Sequence, residues 1–226
     1  MEISSHSVLL KAGAIVVIGL LLLIPVSLLR GLVSERVMHR YAATRQVAGG
    51  WGGAQTAGGP LLVIPATSLA DPARPTTHEV FVAAHSLEID VKLDVEEEPR
   101  RVGMYDVPVY VAVVRMSGEF DPPTVLAAIR TQHDKLTLHP ERARLVLPVG
   151  DVGGLRAVSE VDTGLLARAL EPVSDLPIRA LAAPVQSDAD ITGARRRFAF
   201  ELTLAGTEAM DFLPLATSTE IGRAHV

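Results

Sequence analysis

The chain has 226 residues, a formal net charge of −5 at pH 7 and a hydrophobic content of 48%. The acidic balance provides no basic field for nucleic acid, so no nucleic-acid partner is expected. The sequence contains no cysteine, which excludes disulfides, thiolate catalysis and cysteine-based zinc sites.

An apolar run at residues 12–29 opens the chain, with Lys11 before it and Arg30 after it. As a helix this run is roughly 27 Å long, close to the thickness of a bilayer core. A buried core helix would show a polar face, and a cleavable signal peptide would be followed by a small-residue cleavage site, which is missing here. We therefore predict an uncleaved transmembrane signal anchor at residues 12–30.

The side of the membrane on which the remainder lies is not determined by charge. Lys11 and the amino terminus are outnumbered by four arginines that follow the apolar run, Arg30, Arg36, Arg40 and Arg45. The positive-inside rule would place these arginines in the cytoplasm, but the rule weakens for long translocated domains. Local charge therefore leaves the orientation open.

Residues 31–50 show a loosely helical pattern and are predicted to continue the membrane helix as a juxtamembrane stalk, which Gly49 and Gly50 should end. Residues 49–59 are rich in glycine, but they lack the Gly-Lys-Ser/Thr of a phosphate-binding loop. We interpret them as a flexible entry loop in which Trp51 anchors against the domain or against the lipid headgroups.

Beyond this loop the hydrophobic period changes from helical to two. Residues 87–95 alternate apolar side chains with charged ones, and residues 198–205 repeat the alternation with phenylalanine and leucine. This pattern predicts strands with one wet and one buried face. Further strands are predicted at residues 61–64, 143–147 and 107–114, the last apolar enough to be buried on both faces.

Only residues 123–131 and 165–170 have a helical pattern in this part of the chain. We therefore predict a mainly β fold: a sandwich-like domain at residues 51–219 with minor helix, preceded by one N-terminal transmembrane helix.

Several fragments resemble catalytic motifs without their context. Residues 162–164 spell the Asp-Thr-Gly of aspartic proteases, but no second copy is present, and a turn is the better interpretation. His133 and His139 are six residues apart and lack a nearby third metal ligand. The run Arg195 to Arg197 is interpreted as a solvated strand edge. We predict no catalytic residue, no cofactor and no metal site.

Three segments together resemble the CreD family of bacterial inner-membrane proteins. They are the entry motif around Trp51, the block Gly-Met-Tyr-Asp-Val-Pro-Val-Tyr with a following Ser-Gly-Glu-Phe, and a later stretch that ends in Phe-Leu-Pro-Leu. Ala216 departs from the family, which often has glycine there. The positions that carry the resemblance are Trp51, Gln55, Gly59, Pro60, Pro65, Tyr105, Pro108, Tyr110, Gly118, Phe120, Asp151, Gly154 and Pro214.

The resemblance implies a cytoplasmic amino terminus at residues 1–11, a β-rich periplasmic domain and further membrane helices after it. It also implies a role in envelope integrity without established catalytic residues. We therefore expect an inner-membrane protein whose noncatalytic domain binds or organises an unknown envelope component, with the lipid bilayer as its other partner. The alternative is a membrane-bound hydrolase or transport component that acts on cell-wall or lipid substrates.

The last residues show a different kind of signal. Residues 220–226 can be encoded by GAGATCGGAAGAGCACACGTC, which after its first base matches the start of a widely used sequencing-library adapter. We therefore predict a non-native tail at residues 220–226 and an incomplete β domain before it. Resequencing past the codon for Thr219 tests this expectation.

Overall fold

The chain divides into two units, Met1–Arg45 and Gln46–Val226. A computed structural model describes residues 5–68, 74–132, 136–161, 165–176, 178–186, 191 and 193–221. The Asp-Thr-Gly segment, His133 and residues 222–226 lie outside the described residues. Their interpretations therefore stay predictions.

Helix α1 spans Ser5–Trp51 and contains Pro25 without an interruption. By length and composition it can cross a membrane. It ends at Trp51 because Gly52 has a φ of +113°, a left-handed conformation that glycine adopts without steric cost. The N–H of Gly52 donates to the carbonyl of Ala48 at 2.8 Å. The helix therefore runs through Gly49 and Gly50 and ends one residue beyond the predicted stalk.

The described part of the second unit contains fourteen strands, one further α-helix and two short 3₁₀ turns, at Pro140–Arg142 and Val152–Gly154. The helix, α2, spans Pro122–Gln132, where the sequence predicted one. The strands are β1 (Gln55–Gly58), β2 (Leu61–Ser68), β3 (Thr76–Val95), β4 (Arg100–Val102), β5 (Tyr105–Val107), β6 (Tyr110–Phe120), β7 (Leu136–Leu138), β8 (Arg144–Pro148), β9 (Leu155–Glu160), β10 (Glu171–Val173), β11 (Ala180–Pro184), β12 (Arg196–Gly206), β13 (Met210–Leu213) and β14 (Ala216–Ile221).

Ten of these strands form one curled sheet, which confirms the mainly β prediction. Its main path is the antiparallel order β10-β11-β8-β2-β3-β6-β12-β9. Strand β7 pairs with β2, and β14 lies parallel to β3. Two smaller pairs complete the unit: β1 lies parallel to β13, and β4 forms an antiparallel hairpin with β5.

Strand β3 connects the two halves of the curled sheet. Its first eight residues pair with β2, and its residues from Ser86 to Val95 pair with β6. Leu87, Ile89 and Val91 are buried, as the alternation predicted. Val95, the last residue of the strand, is 46% exposed, so the predicted buried face ends before it.

The core lies between the inner faces of this curl and is led by three aromatic rings. The ring of Phe198 lies 4.8 Å from that of Phe120 and 5.9 Å from that of Phe200, measured between centroids. Leu202 and Leu204 continue the same buried face of β12, which confirms the alternation predicted for this strand.

Three local predictions need correction. The single strand predicted at residues 107–114 is two strands, because Pro108 has no N–H to donate to a ladder. Residues 165–170 are not helical, since the carboxylate of Glu160 accepts the N–H groups of Leu165 and Leu166 at 2.6 and 3.2 Å. The glycine-rich segment is not a loop throughout, because residues 49–51 belong to α1 and residues 55–58 form β1.

Candidate functional site

Five positions that carry the family resemblance meet at one place in the second unit, although they are far apart in the sequence. We call this cluster of residues the joint: Trp51 at the end of α1, Gln55 in β1, Tyr110 in β6, and Asp151 and Gly154 in the segment before β9. Its contacts connect the last turn of the helix with three separate parts of the β-rich unit.

The side chain of Trp51 lies against the β-rich unit. Its Nε1–H donates to the carbonyl of Tyr110 at 3.3 Å. The guanidinium carbons of Arg100 and Arg156 lie 4.7 and 5.1 Å from the centre of the indole ring, within the range of a cation–π interaction. The sequence left two possible surfaces for Trp51, the domain and the lipid headgroups. In the structure, Trp51 packs against the domain.

Arg156 also caps the helix. Its Nη2 donates to the carbonyls of Gly50 and Trp51, at 3.3 and 3.0 Å. The last carbonyls of a helix have no partner within it, and the helix dipole favours a cation at that end. Arg156 therefore satisfies two of these carbonyls and adds a favourable charge.

Asp151 holds the segment after the helix to the segment before β9. One of its carboxylate oxygens accepts the N–H of Gly53 at 3.1 Å, and the other accepts the N–H of Gly153 at 2.9 Å. The second contact caps a single 3₁₀ turn at Val152–Gly154. Charge-assisted bonds of this kind are stronger than neutral ones. The side chain of Asp151 therefore connects the segment after the helix with the segment before β9.

Two glycines allow the backbones in the joint to approach closely. A Cβ atom on Gly52 or on Gly154 would collide with the carbonyl oxygen of Ala205, and a Cβ on Gly154 would also collide with the Nε2 of Gln55. Because these neighbours include backbone, they cannot move aside cheaply. Both positions therefore require glycine for packing.

Gln55 is fully buried beside these glycines. Its backbone N–H donates to the carbonyl of Ala209 at 2.9 Å. Neither its Oε1 nor its Nε2 has a hydrogen-bond partner among the described protein atoms. A buried amide that stays unpaired costs roughly 1 to 3 kcal/mol. Within the described part of the chain, the side-chain amide of Gln55 is thus buried without a bond to another protein group.

Tyr110 adds a second bond to the same carbonyl. Its hydroxyl donates to the oxygen of Ala209 at 3.3 Å and lies directly against Gly206. Burial, with the negative charges of Asp211 and Glu208, raises the pKa of Tyr110 to about 12. The phenol is therefore neutral at physiological pH and remains a hydrogen-bond donor.

The other positions that carry the family resemblance lie outside the joint. Two of them are glycines that allow close contacts with neighbouring strands. The N–H of Gly59 donates to the carbonyl of Leu213 at 2.9 Å, where a Cβ would collide with Leu87. A Cβ on Gly118 would collide with the carbonyl of Ser86. The rest are buried Pro60 and Phe120, half-buried Pro65 and Tyr105, and exposed Pro108 and Pro214.

The chemistry of the joint is hydrogen bonding, capping and close packing. Among the described residues, no group of three or more histidine, aspartate or glutamate side chains could hold a metal ion. Sequence reasoning missed Arg100 and Arg156, since no local pattern distinguishes them from other exposed arginines. Arg156 is 105 residues from Trp51, so only the tertiary structure brings the two together.

The comparisons with known proteins identify a family over most of the chain. A family model described as "Inner membrane protein CreD" matches residues 7–223. The "Inner membrane protein CreD" of Escherichia coli (strain K12) is 26% identical over 212 residues. That match covers 89% of this chain and 45% of the relative, so the chain spans less than half of the relative's length. No solved structure matches this chain.

Proposed function

Because this chain belongs to the CreD family of inner membrane proteins, we propose that it holds a noncatalytic β domain at the membrane. In this proposal the domain binds or organises a component of the cell envelope and so supports envelope integrity. The amino terminus lies in the cytoplasm and the domain in the periplasm.

The joint is the observation that carries this proposal. Apart from the side-chain amide of Gln55, its polar side chains are used in internal bonds: Trp51 bonds to the carbonyl of Tyr110 and Asp151 to the N–H of Gly53, while the neighbouring Arg156 bonds to the end of the helix. Groups that are used in internal bonds are suited to holding a helix end on a domain. They are poorly suited to contacting a substrate.

The orientation is tested with reporters fused after Gly118, one active only in the periplasm and one active only in the cytoplasm. We expect a signal from the periplasmic reporter alone. The matched control carries the same fusions on a chain that lacks residues 1–30, which should reverse the result. A cytoplasmic signal from the anchored fusion would contradict the proposed orientation.

Partner binding is tested by photo-crosslinking of the full-length protein in native membranes. A photoreactive side chain is placed at Met104, Ser159 or Glu171, which are exposed on the β4–β5 hairpin, β9 and β10. Strands β9 and β10 end the path of the sheet and offer backbone groups for strand addition. We expect a discrete adduct from at least one site, with Asp90 on the charged face of β3 as the control position.

Two results would contradict the binding role. One is the absence of a discrete adduct from every edge and hairpin position. The other is an equal yield of the same adducts from Asp90. Release of a cell-wall or lipid product by the purified full-length protein would instead favour the alternative function, a membrane-bound hydrolase.

A further inference from the structure

A second polar cluster lies on β2, on the face opposite to the buried Leu62 and Ile64. The Oγ1 of Thr67 lies 2.9 Å from the Nε2 of His139, which follows β7. The Nδ1 of the same imidazole lies 3.4 Å from a carboxylate oxygen of Glu141. The hydroxyl therefore lies at hydrogen-bond distance from the imidazole, and the carboxylate lies at ion-pair distance from the other ring nitrogen.

The direction of the hydrogen bond between Thr67 and His139 depends on which ring nitrogen carries the proton. An ionised carboxylate beside Nδ1 attracts the partial positive charge of an N–H at that nitrogen, so Glu141 favours the imidazole tautomer with its proton on Nδ1. The lone pair of Nε2 then points to Thr67, whose hydroxyl donates to it. A hydroxyl paired with a base, and the base oriented by a third group, is the arrangement that activates a nucleophile.

The cluster is accessible from solvent. The side chain of His139 is 31% exposed and that of Glu141 is 63% exposed, while Thr67 is half-buried. The backbone holds the imidazole in place, because the N–H of His139 donates to the carbonyl of Pro65 at 2.8 Å. The imidazole is therefore held beside Thr67 by a bond to β2, at a surface that an acyl donor can reach.

We propose that Thr67 is an acyl-acceptor site, modified by activated oxygen esters or thioesters. The bond from Oγ1 to the acyl carbon forms, and the bond from that carbon to the leaving oxygen or sulfur breaks. The hydroxyl proton passes to the Nε2 of His139 and then to the leaving group. The products are an ester on Thr67 and a free alcohol or thiol, without oxidation or reduction.

The site is an acceptor because the backbone N–H of His139 is already used in a hydrogen bond. The N–H of His139 is committed to Pro65 and is not directed at an acyl oxygen. Both acylation and hydrolysis develop negative charge on that oxygen, which enzymes that hydrolyse acyl intermediates stabilise with free donors. An activated ester or thioester has a good leaving group and can react without such donors, whereas the alkyl ester on Thr67 has a poor one and is hydrolysed slowly. The Thr67 ester should therefore accumulate, which is compatible with a noncatalytic domain.

The test treats the full chain in detergent with p-nitrophenyl acetate. It measures nitrophenolate release and identifies the acetylated peptide by mass spectrometry. We expect one acetyl group per chain, on Thr67, with no further release once that site is filled. Thr67→Val should remove this label, and Thr67→Ser should retain it. His139→Gln should slow labelling by about a hundredfold, as loss of a general base does.

Matched controls come from the neighbouring strands. Thr77 on β3 and Thr137 on β7 both pair directly with Thr67, so Thr77→Val and Thr137→Val should leave the labelling rate unchanged. Thermal melts establish that each variant folds. If Thr67→Val does not fold, the comparison of Thr67→Ser with the Thr67→Ser, His139→Gln double variant decides the dependence on the imidazole.

Three results would overturn the assignment. The first is acetylation of lysines or of Thr77 and Thr137 at the rate of Thr67. The second is a labelling rate that His139→Gln does not change. The third is continuous nitrophenolate release without an accumulated ester, which would replace the acceptor site by a hydrolase site.

Discussion

At the scale of single residues, the joint depends on close packing that leaves no room for a larger side chain at two of its positions. Gly52 and Gly154 both face the carbonyl of Ala205, and the amide of Gln55 fills the remaining volume. The resemblance marked Gln55 and Gly154 by type and order alone. The structure adds a steric reason for the glycine, and it shows that the buried side chain of Gln55 packs against both Gly52 and Gly154.

The close approach at Gly154 predicts a destabilising substitution. Gly154→Ala should lower the free energy of unfolding by about 1 to 3 kcal/mol, because the new methyl group collides with Ala205 and Gln55. Gly50→Ala is the control, since a Cβ there meets no atom within 4 Å. Thermal melts of the full chain in detergent measure both. Equal melting temperatures for the two variants would show that the backbones at Gly154 are not in contact.

The pKa of Tyr110 predicts a dependence of stability on pH. An unfolded tyrosine ionises near pH 10, whereas folded Tyr110 does so at about 12. Its stabilising contribution is therefore complete below pH 10 and is lost as the pH rises to 12. Tyr110→Phe should lower the stability by about 1 kcal/mol at pH 8. This difference should shrink between pH 10 and 12, as measured by chemical denaturation of both proteins.

A difference between Tyr110→Phe and the original protein that stays constant up to pH 12 would contradict this explanation. The absorbance of tyrosinate gives an independent check, because subtracting the titration of Tyr110→Phe isolates this phenol. The isolated curve should have its midpoint near pH 12.

At the scale of elements, β3 is the strand on which the domain depends. It pairs with β2 along its first part and with β6 along its second, and β14 lies parallel to its middle. Its alternation was visible in the sequence because one face is charged and the other is apolar. The sequence did not predict that the strand is twenty residues long or that it pairs with both halves of the sheet.

The register of β3 predicts opposite results for two adjacent positions. Ile89 is fully buried, so Ile89→Asp places an unpaired carboxylate in the core and should destabilise the domain by several kcal/mol, of order 3. Asp90 is exposed, so Asp90→Ser should change the free energy of unfolding by less than about 0.5 kcal/mol. Limited proteolysis of the membrane-bound chain compares them, and similar rates for both would contradict the register.

At the scale of the whole molecule, the two units of the chain are suited to different environments. The apolar part of α1 has long aliphatic side chains that are exposed within its own unit, while the second unit encloses its apolar side chains in a curled sheet. The family places the chain in the inner membrane, which accounts for the exposed aliphatic surface.

The membrane segment predicts that insertion depends on position along α1. Leu21→Arg puts a charge at the centre of the apolar run and should cost on the order of 3 kcal/mol on an insertion scale. Met38→Arg, beyond the apolar run on the same helix, should insert normally. Fractionation of cells after carbonate extraction measures the two variants. Full membrane retention of Leu21→Arg would contradict residues 12–29 as the span.

The sequence by itself determined the features that depend on local hydrophobicity and on its periodicity along the chain. The apolar run, the alternation in β3 and β12, and helix α2 are local patterns, since each residue's partition between water and an apolar phase is decided within a few neighbours. The family was also evident from the order and spacing of its motifs, without any coordinates.

The tertiary structure alone decided what depends on residues far apart in the chain. The helix continues to Trp51, the predicted helix at residues 165–170 is replaced by bonds to Glu160, and Arg156 meets the indole of Trp51 across 105 residues. The approach of Thr67 to His139 across 72 residues belongs to the same class. Such contacts depend on how the sheet curls and on loop closure, and their geometry is not encoded in the period of any single segment.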